Sequence, residues 1–199
     1  MNKIQSDGQY FEQTFDKCLL ASEIISGTEF EECEFNDCDL SSATFSRCKF
    51  LNCSFNRCNL SLVKVPHTRF FEVEFTDSKL VGIDWTAGYW PSFHLDSELS
   101  FTRCILNDCS LFGLTLNELK LDQCKLHDVD FREGDFCNST MTYCDFTNSL
   151  FMRTNLENVD FTESQNFTLD VLSNRVSNAK FSRFEALSLL ESLGIELVE

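Results

Sequence analysis

Eleven cysteines, three histidines and thirty-two carboxylates are the residues of this 199-residue chain whose types could do chemistry. Spacing decides which chemistry is open to them. A structural zinc site usually draws on Cys-x-x-Cys pairs with converging side chains, and the chain contains no such pair. Ten of the cysteines instead keep step with a period of five residues, Cys137 being the exception. The odd count and the long chain also speak against a secreted disulfide framework. The thiols are therefore read as buried, reduced and space-filling. His67, His94 and His127 sit in no nucleophile or metal motif, and no glycine-rich phosphate loop is present. No catalytic residue, no metal ligand and no cofactor is assigned, and the chain is not expected to be an enzyme.

The elements that must carry these residues follow from the same period. Large apolar residues recur at Phe15, Leu20, Ile25, Phe30, Phe35, Leu40 and onward to Trp90. After a break near residues 91–100 they resume one residue out of step at Phe101 and continue to Phe161. A helix repeats near 3.6 and a strand at 2, so neither explains a period of five. Two residues before each centre stands a smaller residue, such as Cys33, Cys38, Ala43 and Cys48. A spacing of two puts both side chains on one face of an extended backbone, so each pentad is a short inward-facing side followed by a corner. Sides of this kind bury their apolar residues by winding into a solenoid whose coils stack. Gln13 and Glu23 at the small position point to an irregular N-terminal coil. The break is read as a bulge or local kink, helped by Pro91.

This pattern resembles the pentapeptide-repeat family over about residues 8–164. The resemblance implies an all-β fold, a right-handed quadrilateral β-helix with four pentads per coil. Residues 1–164 form that β-helix, and 165–199 form a C-terminal capping and dimerisation segment. Within the tail, Phe184, Leu187, Leu190 and Leu193 fall at helical spacing. Ser182 is a candidate cap, Gly194 a stop, and Ile195–Val198 a candidate strand. With four pentads per coil, residues 20 apart stack. Cys18, Cys38 and Cys58 then make one column and Cys104, Cys124 and Cys144 another, with parallel side chains poorly disposed for disulfides.

Charge carries the functional reading. A net charge of −16 argues against nucleic acid as a direct ligand and for a cationic partner. If the break occupies two pentads, Glu32, Glu34, Glu72, Glu74, Glu133 and Asp135 share one corner, and Asp108, Asp128, Asp130 and Asp145 gather on another side. Residues 40–71 hold no acid and carry Arg47, Lys49, Arg57, Lys64 and Arg69. The start of the chain lacks a signal-peptide core and no stretch has the length of a membrane span, so a cytoplasmic protein without membrane contact is expected.

The stretches "CNLSLVKVPHTRFFEVEFTDSKLVGIDWTAGYWPS" and "LSFTRCILNDCSLFGL" resemble an albicidin-immunity member of the family. "LLESLGIELVE" resembles the ends of Qnr-type gyrase-protecting members. This implies a rod-shaped homodimer joined through Phe184, Leu187, Leu190, Leu193 and Ile195. Its surface, at Asp108, Asp128, Asp130, Glu133, Asp135 and Asp145, would imitate duplex DNA for DNA gyrase or another type II topoisomerase and confer resistance to a topoisomerase poison. The alternative is a structural or adaptor solenoid that binds some other protein.

Overall fold

The computed structural model describes residues 4–91, 99–196 and 198. The chain winds into a right-handed, four-sided β-helix of about eight turns with one short helix, as the family resemblance implies. At the usual strand separation of about 4.8 Å the stack is roughly 38 Å tall. Face I is a nine-stranded parallel sheet running through Phe15, Phe35, Phe55, Phe75, Phe101, Leu121, Met141, Phe161 and Phe181. Face II carries Leu20, Leu40, Leu60, Leu80, Leu106 and Leu126. Face III carries Ile25, Phe45, Val65, Trp85, Leu111, Phe131 and Phe151. Face IV carries Tyr10, Phe30, Phe50, Phe70, Trp90, Leu116, Phe136 and Leu156. Parallel pairing continues past the end of the strict period, with Asp160↔Lys180 and Phe161↔Phe181 in register.

The centres fill the column. Phe30, Phe35, Phe45, Phe50 and Phe55 are all fully buried. Phe35 stacks on Phe55 at 4.6 Å and meets Phe30 edge-on at 5.4 Å, the two arrangements aromatic pairs prefer. The cavity among Phe45, Phe50, Phe55, Val65, Phe75 and Trp85 has a volume of only about 10 Å³.

The small inward residues do more than fill space. Thr68 Oγ1 donates to the Phe45 carbonyl at 2.7 Å and accepts from Cys48 N at 3.2 Å, joining two coils inside the column. Ser78 repeats the arrangement with Phe55 O and Cys58 N, and Ser164 with Met141 O and Cys144 N. Cysteines take the same post, Cys38 Sγ reaching Phe15 O at 3.1 Å and Cys53 Sγ reaching Phe30 O at 3.4 Å. The expectation of buried, reduced, space-filling thiols holds, since the eleven are free and mostly buried, and several, Cys38 and Cys53 among them, also donate to buried carbonyls.

Each corner turns on one residue. Twenty-eight described non-glycine residues have positive φ, nearly all two places after a centre. A single L-residue held there costs on the order of 1–3 kcal/mol. The conformation persists because the N–H of most of these residues bonds a carbonyl of the next coil, at 2.7–3.1 Å. It also turns their side chains outward, so the corners become the chemical surface of the rod.

The break is corrected in its effect. Phe75 pairs with Phe101, 26 residues on, so six residues are added and no side is gained. Residues 92–98, which include His94, lie outside the described residues. The two expected cysteine columns are therefore one: Cys18, Cys38, Cys58, Ser78, Cys104, Cys124, Cys144 and Ser164 all follow face I. The tail is corrected too. Its helix spans only Leu187–Glu191, without a side-chain cap. Ser182 Oγ is engaged by Glu163, accepting from its N–H at 2.8 Å and donating to its carboxylate at 2.8 Å. No strand is found among the described residues beyond Glu191.

Candidate functional site: the charged corners

The four corners share one backbone and differ in charge order. Along the corner between faces I and II stand Lys17, Asp37, Arg57, Asp77 and Arg103, one per coil. Arg57 donates to both carboxylate oxygens of Asp37 at 2.7 and 3.0 Å, and Arg103 to both of Asp77 at 2.6 and 2.8 Å. These guanidinium hydrogen bonds hold the two aspartates below the usual carboxylate range and raise the arginines. This corner neutralises itself.

The corner between faces IV and I is open. Glu12, Glu31, Glu32, Glu34, Glu72, Glu74 and Glu118 are exposed there, and none makes an ion pair among the described residues. The strand pairing Glu34↔Ser54↔Glu74↔Ser100↔Lys120 sets Glu34 and Glu74 two coils apart with Ser54 between them, and Lys120 two coils further on. Glu133 and Asp135 do not join them. With no side gained at the break, they fall at the corner between faces III and IV and on face IV, a correction to the expected grouping.

The six acids expected to contact a partner divide in two. Asp108 and Asp128 are exposed and stacked at the corner between faces II and III, with no ion pair among the described residues. The other four are internally engaged. Arg132 chelates Asp130 at 2.9 and 2.7 Å and lowers its pKa, Arg153 pairs with Glu133, and Asp135 accepts from Asn155 at 2.9 Å and Cys137 N at 3.1 Å. Asp145 lies 3.0 Å from His127 Nε2. Partial burial acts to raise its pKa, but hydrogen bonds from Asn166, Thr147 and His127 outweigh that and hold it at about 2. Spacing could not distinguish these two sets, because the groups that engage the four acids are of several types and sit 2, 18, 20 or 21 residues away.

In the tail, Phe184 is 81% exposed and Leu187, Leu193 and Ile195 nearly half exposed, whereas Leu190 is half-buried. Leu189 packs on the last coil. Burial pushes the Cys109 thiol up to about 11 and Cys53 to about 12, so these groups are protonated at neutral pH. No group of three or more His, Cys, Asp or Glu among the described residues is arranged to hold a metal ion. No helix there is long and apolar enough to cross a membrane.

A four-sided β-helix with an apolar centre in every pentad and a left-handed residue at each corner defines a protein class. The chain belongs to the pentapeptide-repeat family, the model of a pentapeptide repeat region matching residues 28–99 and 90–161. Among solved structures, a trypsin-treated form of QnrB1, described as a plasmid-mediated fluoroquinolone resistance protein, is similar at a TM-score of 0.72 and 18% identity. That match covers 96% of this chain and 97% of the other. A second trypsin-treated form reaches 0.66 at 20% identity over 99% and 95%, and full-length QnrB1 reaches 0.53 at 18% over 94% and 100%. No curated protein matches the chain. At such identities the likeness is one of fold.

Proposed function

We propose that this protein is a non-enzymatic rod that imitates duplex DNA, binds DNA gyrase or another type II topoisomerase, and counters a poison of that enzyme. The observation that carries the reading is the open corner between faces IV and I, a row of carboxylates with no ion pair among the described residues. Such a row presents to the lysines and arginines of a DNA-binding surface the charge sign that DNA phosphates present. The likeness of fold to QnrB1, described as a fluoroquinolone resistance protein, supports it. Asp108 and Asp128 add free carboxylates at a second corner. Asp130, Glu133, Asp135 and Asp145 contribute field more than contact, being already engaged. The exposed Phe184, Leu187, Leu193 and Ile195, with Leu190 beside them, are the surface through which two copies join, and a gyrase partner places the protein in the cytoplasm.

The test is gyrase supercoiling with a poison present, titrating the purified protein. Rescue at low protein and inhibition at high protein are expected. Absence of both would contradict the reading.

A further inference from the structure

Face III changes character in its last coils. Ser110, Asp130 and Leu150 are bridged in succession on its outer surface, and Glu133 N bonds the Met152 carbonyl one coil on. Phe112 is 42% exposed, Leu150 47% and Met152 39%, although the chain places polar residues at most outward positions. Between them, the Arg132 guanidinium lies 5.8 Å from the Phe112 ring centroid while chelating Asp130. The charge in the middle of this surface is thereby spent internally. The free charge stands at its margin, where Asp108 and Asp128 occupy successive coils.

An apolar centre holding aromatic, methionine and arginine side chains, with charge confined to the rim, is the anatomy of a protein-binding surface. The open corner between faces IV and I is different, because there the carboxylates themselves fill the centre. Rim carboxylates left without cations require positive charge opposite them, which excludes nucleic acid and selects a basic partner.

We infer that the C-terminal half of face III is a docking surface for a basic protein segment that also carries apolar side chains. Its cations meet Asp108 and Asp128, and its apolar groups cover Phe112, Leu150 and Met152. The inference does not rest on the proposed function, since the sign of the partner's charge follows from Asp108 and Asp128. It departs from pure charge imitation by requiring contact that salt does not screen.

The probes are an amphipathic lysine–leucine peptide of about fifteen residues and an oligolysine of equal charge, each titrated into the full chain at physiological salt. The amphipathic peptide is expected to bind at least tenfold more tightly. The Phe112→Ser/Met152→Ser double variant should abolish that preference, and Met152→Leu should retain it. Asp108→Asn/Asp128→Asn should weaken both peptides several-fold. These side chains point outward, and an unchanged thermal melt confirms that each variant folds. Equal affinity for the two peptides, or a preference untouched by the serines, would overturn the inference. Sedimentation showing that the serines break up a dimer instead would assign this surface to a second copy and overturn it as well. Gyrase run beside the peptides separates the two readings. If gyrase fails to bind while the peptide preference holds, docking by face III stands and the topoisomerase reading falls. If gyrase binds but the peptides show no preference, the reverse follows.

Discussion

The corner between faces I and II and the corner between faces IV and I use the same turn, the same left-handed residue and the same coil spacing, yet only the first is electrostatically closed. Signs alternate through Lys17, Asp37, Arg57, Asp77 and Arg103, with Arg57–Asp37 and Arg103–Asp77 each tying one coil to the next, whereas Glu12 and Glu32 repeat one sign on neighbouring coils and Glu72 repeats it beyond Asn52. Like charges on neighbouring coils repel, and nothing among the described residues relieves them. The fold therefore tolerates the open corner because its stability comes from the column within. A surface maintained against its own repulsion is one that a cationic partner can relieve.

The first way to probe this contrast is to remove what both corners share. Phe35 lies on face I between the two corners and is stacked from above and below. Phe35→Ala should cost about 3–5 kcal/mol in denaturant unfolding and loosen both corners alike. An effect confined to one corner in hydrogen exchange would show that the corners do not depend on a common core.

Next comes the hydrogen bonding inside the column. Thr68→Val leaves the Phe45 carbonyl and the Cys48 N–H without partners, and about 1–3 kcal/mol should be lost, although the two side chains have similar shape. A neutral outcome would reduce the small inward residues to packing alone.

The corners themselves should respond oppositely. Arg57→Glu creates three successive acids with Asp37 and Asp77, so the melting temperature should fall and recover in high salt. Glu31→Gln/Glu32→Gln/Glu34→Gln removes repulsion without removing a bond, so stability should hold within about 0.5 kcal/mol or rise. Partner binding, by contrast, should fall steeply. If both variants destabilise equally, the distinction between closed and open corners is wrong.

The smallest effect is expected from acid. Asp145 is held at about 2, below the ordinary carboxylate value near 3.9, so its stabilising contribution is complete above about pH 4 and is lost as pH falls toward 2. Asp145→Asn should lower stability at pH 7 to 8, where that contribution is complete, and flatten the profile between about pH 4 and 2.

Much of this architecture is legible in the chain. Phe30, Phe35 and their successors announce the inward column, because only a five-residue turn keeps them on one line. The conformation of the corners is hidden, since Glu32, Arg57 and Tyr143 carry none of the glycine signal that positive φ usually leaves. Register across the break is hidden as well. A shift of six reads the same as a shift of one in a five-residue period, and only the pairing of Phe75 with Phe101 shows that no side is gained. That ambiguity moved Glu133 and Asp135 to the wrong corner. Ser182 fits a helix cap by type and spacing, but Glu163 competes for its hydroxyl from a coil that sequence adjacency does not reveal.

The most direct test of the account is displacement of fluorescently labelled duplex DNA from purified gyrase by this protein at physiological and at raised salt. The duplex should be released as the protein is added. The effect should fade in high salt and be lost in the Glu31→Gln/Glu32→Gln/Glu34→Gln variant. Binding that leaves the duplex in place, or displacement that the variant preserves, would contradict it.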